Sequence, residues 1–256
     1  MNFRDSGHGD SRQYINDRGV EMQPKYKRVF IKLSGQALAN GTDGLYDLAM
    51  LDQISDVIAK CRNAGVQICM MVGGGNIWRG NMGKYMDRTR ADHMGMMATC
   101  MNALMLEDTL QRHGIDAVAM TAVEMKTFAE PFVQRDAIKA LKEGKVVIIG
   151  GGLGIPYFTT DTAAAVRAAE IEADVVLMAK NIDAIYSADP KKVPGAQKFD
   201  EITYDKMLEM GLKVIDLSAA AFCRDNQIKS YVFALRDPEN IFEIIMGKNI
   251  GTEVHV

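Results

Sequence analysis

No apolar run in this chain approaches the roughly 20 residues needed to cross a bilayer. Its first 25 residues, MNFRDSGHGDSRQYINDRGVEMQPK, lack the apolar stretch of a secretory signal. Charge of one sign is also lacking: a net charge of −3 over 256 residues excludes a bulk nucleic-acid binder. Cysteine is sparse, and Cys61, Cys69, Cys100 and Cys223 show no C-x-x-C spacing. Cys69 and Cys100 lie inside apolar runs, which suits reduced core residues rather than a disulfide framework. These absences together point to a cytoplasmic protein. The polar, glycine-bearing residues 1–25 are expected to be a disordered extension before a single domain over 26–256.

Familiar phosphate-binding signatures are missing too. There is no G-x-x-x-x-G-K-[ST], so the chain is not a P-loop enzyme, and the His-Arg-Asp and Asp-Phe-Gly set of protein kinases is absent. The stretch VVIIGGGLGIPYFTTD (146–161) invites a dinucleotide reading, with Gly150 and Gly152 as its first two glycines. It fails in three ways. Ile155 stands where Gly or Ala is needed, Pro156 keeps Ile155 extended so that no helix starts there, and the next strand ends in Ala179 and Lys180 instead of an acid.

What is present is alternation. Hydrophobic residues make up 48% of the chain, enough for a full core. Runs at 28–33, 66–72, 116–120, 145–149 and 174–178 read as strands. Segments 51–65, 91–114, 131–144 and 160–173 read as helices, the first two ended by glycine and the last capped by Thr160 or Asp161. KVID (213–216), a helix around 217–227 and KSYVFAL (229–235) continue the alternation, and 187–203, with Asp-Pro and Pro-Gly, reads as a long loop. Strands without polar alternation suit a sheet covered on both faces. The expected fold class is therefore α/β: an open, mostly parallel sheet sandwiched by helices, with right-handed crossovers.

Three of these strands end in glycine turns: KLSG (32–35), GGGN (73–76) and GGGLG (150–154). Ligands of open α/β sheets sit beyond the C-terminal strand ends, and glycine lets backbone N–H groups converge on anionic oxygens. Three such turns suggest a polyphosphate donor and a phosphorylated acceptor lying end to end. Lys32 is either a phosphate-binding cation or a snorkelling edge lysine. Arg79, in GGGNIWRG, is either a bidentate phosphate fork or a surface arginine beside Trp78. Asp161 is either a functional carboxylate or a helix cap.

KRVFIKLSGQAL, VGGGNIWRG, ADHMGMMATCMNAL, PYFTTDTAAAVRAAEIEADVVLMAK and DAIYSADP, in that order, resemble the bacterial uridine monophosphate (UMP) kinases of the amino-acid kinase superfamily, over residues 26–255. The resemblance implies transfer of the γ-phosphoryl of ATP to UMP, with Mg²⁺, in pyrimidine nucleotide biosynthesis. It also implies a homohexamer activated by GTP and inhibited by UTP. Lys32, Leu33, Ser34 and Gly35 match the first ATP-phosphate segment, Gly75 and Arg79 match further phosphate contacts, and Lys180, Tyr186 and Asp189 match the adenine-nucleotide site. Gly74 matches a UMP contact and Asp92 the carboxylate that takes the ribose hydroxyls. Leu153, Gly154, Ile155, Pro156, Tyr157, Phe158, Thr159 and Thr160 match the loop enclosing UMP. Lys32, Arg79 and Asp161 are the implied catalytic set. Mg²⁺ would be held through the phosphates, with Asp161 or Asp216 as its protein candidates.

The chain departs from the family pattern at three places. Leu153 and Ile155 replace the Thr and Asn of a G-T-G-N-P loop, Ile182-Asp183-Ala184 replaces V-D-G, and ANGTDGLYD (39–47) lacks the G-F-G of the region linked to GTP. Two alternatives stand beside the UMP kinase reading. One is a sister kinase acting on carbamate or an amino-acid carboxylate, whose acceptor has no ribose for Asp92. The other is a non-catalytic nucleotide- or oxyanion-binding relative.

Overall fold

The computed structural model describes residues 14–15, 21–39, 44–78 and 85–256. The extension expected over 1–25 lies largely outside them, as do Arg79 and residues 40–43 of the segment linked to GTP. Tyr14–Ile15 (β1) pairs antiparallel with Glu21–Met22 (β2).

From there strand and helix alternate. β3 (Arg28–Leu33) leads through the short α1 (Gly35–Ala39) into α2 (Leu48–Asn63), and β4 (Gln67–Val72) leads into the long α3 (Arg88–Arg112). β5 (Ala117–Thr121) and β6 (Glu130–Pro131) precede α4 (Gln134–Lys142), and β7 (Val146–Gly150) precedes α5 (Thr160–Glu170). β8 (Val175–Lys180) is followed by β9 (Ile185–Tyr186), β10 (Lys198–Phe199) and β11 (Glu201–Thr203). The chain ends with α6 (Tyr204–Glu209), α7 (Leu217–Asp225), β12 (Ser230–Ala234), α8 (Glu239–Ile245) and β13 (Thr252–His255).

Nine of the described strands form one sheet in the order β11-β13-β12-β8-β3-β4-β7-β5-β6. All pairings in it are parallel except β12 with β13. The strands are apolar because both faces are covered. Val29, Ile31 and Leu33 of β3 enter a core with α2, α3 and α8, while Phe30 enters a second core with α4, α5, α6 and α7. β8 splits the same way, with Val175, Leu177 and Ala179 on the first face and Val176 and Met178 on the second. Strand side chains alternate with a period of two. Lys32 and Lys180 therefore fall together on the second face, at the C-terminal ends of neighbouring strands.

Several expectations need correction. KVID is not a strand: it bends into α7, with Ile215 buried. The end of the 187–203 loop forms β10 and β11, because β11 finds an edge partner in β13 some fifty residues on, invisible to local patterning. α3 begins at Arg88 rather than 91, because Asp87 caps it by accepting the amide of Arg90 at 3.1 Å. α4 begins at Gln134 because Pro131 is taken up by the pairing of β6 with β5. All four cysteines are free and buried.

Candidate active site

α5 is rich in alanine, and Ala163, Ala164, Ala165 and Ala168 are buried in the core it shares with the sheet. Small side chains let its first turn lie close to the ends of β3 and β8. There Asp161 meets both lysines: Lys32 Nζ stands 2.8 Å from Oδ1, and Lys180 Nζ 2.5 Å from Oδ2. Lys180 also donates to the carbonyl of Val214 at 2.6 Å. Lys32 is only 7% exposed and Asp161 8%.

Burial by itself raises the pKa of Asp161, but the two ammonium groups outweigh it and hold the carboxyl at about 2. Burial, joined by the charge of Lys32, pushes Lys180 below its ordinary value despite Asp161. The two directions disagree on whether the pair is favourable, and charge balance reconciles them. Two cations flank one anion out of water, with Asp216 further off, an arrangement that favours the Asp161 carboxylate and disfavours the Lys180 ammonium. Asp161, ionised throughout the neutral range, is too weak a base to accept a proton from an acceptor.

Asp161 does not cap α5, and neither does Thr160. The cap is Thr159, whose Oγ1 accepts the amides of Asp161 at 3.1 Å and Thr162 at 3.4 Å. Asp161 is thereby freed to point at the lysines. Asp216 caps α7, accepting the amide of Ala219 at 2.7 Å, and also accepts the hydroxyls of Thr159 and Thr162. It ties the starts of α5 and α7 together. Asp161 is thus bonded to the two lysines, and Asp216 to these hydroxyls and the Ala219 amide. Among the described residues no three His, Cys, Asp or Glu side chains converge to hold a metal.

The glycine turns follow the adjacent strands β3, β4 and β7, and the first two pack on one another. A Cβ on Gly35 would lie 2.1 Å from the carbonyl oxygen of Gly73, and one on Gly74 2.9 Å from Ala98 Cβ. Gly151, Gly152 and Gly154 have φ of 78°, 60° and 79°, a region that favours glycine. Some turn amides are already bonded within the protein. Ser34 N donates to Ala179 O, Gly73 N to Leu33 O, and Gly151 N to Thr99 Oγ1. At these positions the glycines serve close backbone approach as much as anion binding. Asn102, fully buried, donates to Gly73 O at 2.8 Å and Asn76 Oδ1 at 2.9 Å, and accepts from the Tyr46 hydroxyl.

Two cavities flank this cluster. One, of about 650 Å³, is lined by Gly74, Asp92, Leu153, Ile155, Phe158, Thr159 and Thr160 of the predicted acceptor set. Gly75, Trp78, Arg88 and Thr99 also line it, whereas Gly154, Pro156 and Tyr157 do not. The other, of about 1210 Å³, is lined by Lys180, Tyr186 and Asp189 of the predicted donor set, with Gln36, Lys213 and Arg236. Lys32, Leu33, Ser34, Gly35 and Asp161 line neither cavity, and Gly75 lines the first rather than the second. Thr160 lines the first cavity and Lys180 the second, and Asp161, next to Thr160 in the chain, pairs with Lys180.

Asp92 lies within α3, one turn past its start. Its oxygens accept from Arg88 Nε at 3.1 and 3.0 Å, and Oδ2 accepts the amide of Tyr157 at 2.8 Å. Tyr157 has φ of 73°, rare for an aromatic residue and costing roughly 1–3 kcal/mol. Arg88, Thr99 and Asn102 were not singled out from sequence. A signal was there: Arg88, Asp92, Gly95, Thr99 and Asn102 recur at intervals of four and three, one polar stripe on a long helix.

The profile of the amino acid kinase family matches residues 27–234, and the chain belongs to that family. Its mostly parallel nine-stranded sheet is the fold of that family. Three solved structures make the likeness more particular. A UMP kinase from Bacillus anthracis superposes with a TM-score of 0.87 at 33% identity, covering 90% of this chain and 96% of that one. A UMP kinase from Ureaplasma parvum gives 0.86 at 36% identity, covering 91% and 100%. A uridylate kinase from Archaeoglobus fulgidus gives 0.71 at 29% identity, covering 88% and 99%.

Proposed function

We propose that the chain is a UMP kinase, transferring the γ-phosphoryl of ATP to UMP to give UDP and ADP. One observation carries the reading: a buried ion cluster, Lys32–Asp161–Lys180, reaches the larger cavity at Lys180 and stands next to Thr160 of the smaller, where a carboxylate suited to ribose, Asp92, also lies. The likeness to solved UMP kinases supports it.

A phosphate oxygen of UMP is already an anionic nucleophile, so no general base is required. Catalysis reduces to alignment and charge neutralisation. Lys32 and Lys180 would neutralise the charge of the phosphoryl in flight. Asp161 would hold the two ammonium groups side by side and act as a positioning residue. Mg²⁺ would enter as part of the Mg–ATP substrate, carried on its phosphates. The larger cavity, with Lys180, Tyr186 and Asp189, would take ATP, and the smaller, with Gly74, Asp92 and Thr160, would take UMP. Leu153 packs against the core beneath α5, and Ile155 is more than half exposed, so neither brings a polar group to UMP.

The remaining expectations belong to the same proposal. A homohexamer has apolar surface to cover at Met94, Met97 and Met101 of α3, and GTP and UTP are its expected effectors. Free, buried cysteines suit the cytoplasm. No described helix is long and apolar enough to cross a membrane.

The test is a coupled ADP-release assay with Mg–ATP and UMP, CMP, dTMP, carbamate or aspartate. Turnover with UMP far above the rest is expected. Turnover with carbamate or aspartate and none with UMP would overturn the reading, and no turnover with any acceptor would favour a binding relative.

A further inference from the structure

We infer that Arg88 is a positioning residue of the acceptor site: it holds Asp92 and the ring of Tyr157 together, so that taking the ribose and closing the loop 155–158 are one event. The inference rests on the UMP kinase reading and deepens it.

Arg88 and Asp92 stand one turn apart on α3, and Arg88 Nε lies 3.1 and 3.0 Å from the two carboxylate oxygens. A carboxylate offers about four acceptor sites. Arg88 and the Tyr157 amide take three of them and leave one, on Oδ1, open to a ribose hydroxyl, with the carboxylate already oriented. The guanidinium carbon of Arg88 also lies 5.4 Å from the centre of the Tyr157 ring, within cation–π range. Tyr157 is thus gripped at its amide by Asp92 and at its ring by Arg88.

Tyr157 needs that grip. Its backbone is in the left-handed region, which an aromatic residue occupies only where its surroundings impose it. Tyr157 does not line the acceptor cavity, although Ile155 and Phe158 on either side do, so contact with a ligand does not explain the conformation. The contacts from α3 do. A direct phosphate role for Arg88 fits less well. Its charge is matched by Asp92, whereas Lys32 and Lys180 share the carboxylate of Asp161. The Arg88 side chain is 63% exposed, so its ion pair is weak taken alone. Its effect must come through Asp92 and the loop.

The test uses Trp78, the single tryptophan of the chain, which lines the same cavity and reports UMP binding by fluorescence, alongside steady-state turnover. Arg88→Ala should raise Kd and KM for UMP about three- to tenfold while kcat stays within about twofold. In an Asp92→Ala background the same change should cost less than about twofold. Arg88→Lys should not rescue, because an ammonium has neither the planar face nor the fixed Nε–H. Equal losses in both backgrounds, full rescue by lysine, or a fall confined to kcat would overturn the inference. A wild type that neither binds nor phosphorylates UMP would overturn the functional reading and this inference together; normal UMP turnover with an additive cycle overturns the inference alone.

Discussion

Replacing Asp161 with asparagine keeps the shape of the side chain and removes the one negative charge between Lys32 and Lys180. The depression of the carboxyl from its ordinary 3.8 to about 2 corresponds to about 2 kcal/mol of stability. A carboxyl whose folded pKa lies below its unfolded value stabilises the fold above the unfolded pKa. That contribution should be intact at pH 7 and disappear as the pH falls from about 4 to about 2. The variant also leaves two buried ammonium groups facing each other, which carries the loss toward the roughly 3–5 kcal/mol of a broken buried pair. Urea unfolding at pH 7 should therefore find Asp161→Asn at least about 2 kcal/mol less stable, with the gap narrowing below pH 4. In turnover with Mg–ATP and UMP, two misplaced lysines should cost on the order of 10²–10³ in kcat. Equal stability at pH 7, a gap unchanged at low pH, or a kcat near that of wild type would refute the argument that this carboxylate organises the cluster.

Lys32→Ala should lower kcat by roughly 10²–10³ with a smaller change in KM, read by the same assay on a variant shown to be folded; near-normal kcat would remove Lys32 from the chemistry. Asp92→Ala should shrink the preference for UMP over deoxy-UMP in kcat/KM, since Asp87 rather than Asp92 caps α3; an unchanged ratio would refute ribose contact. Gly35→Ala places a Cβ 2.1 Å from the carbonyl oxygen of Gly73 and should destabilise the fold by about 1–3 kcal/mol in urea, and wild-type stability would show that the two turns can separate freely. With 39–47 departing from the family pattern, GTP at sub-saturating UMP should raise the rate less than the roughly fivefold that begins the usual range of allosteric coupling, and a larger rise would show the segment is not needed.

The central strands were legible because each is an apolar run bounded by glycine or a polar break, with no competing period. The run at 28–33 coincides with β3, and the runs at 66–72, 145–149 and 174–178 fall within two residues of β4, β7 and β8. What escaped was nonlocal or short. β11 is a strand only because β13 passes beside it, and the apolar pair Val214–Ile215 is a bend, with Ile215 buried, where its pattern suggested a strand. The start of α3 and the cap of α5 slipped because residues of capping type crowd each boundary, and only backbone geometry chooses Asp87 and Thr159.

The site divides along the same line. Which residue types stand at the strand ends can be read along the chain: a lysine on β3, a lysine closing β8, an acid opening α5, glycines after β3, β4 and β7. So can the period of two, by which Lys32 and Lys180 each sit out of step with the apolar residues beside them on one face. That β8 lies next to β3, which puts both lysines on the same patch of sheet, comes from three-dimensional packing. So does the approach of an alanine-faced helix, close enough for one carboxylate to reach both. Chain order does not encode strand neighbours in a parallel sheet. They follow from how the crossover helices pack, and that packing joins a lysine at 32, an acid at 161 and a lysine at 180 into a single charged cluster.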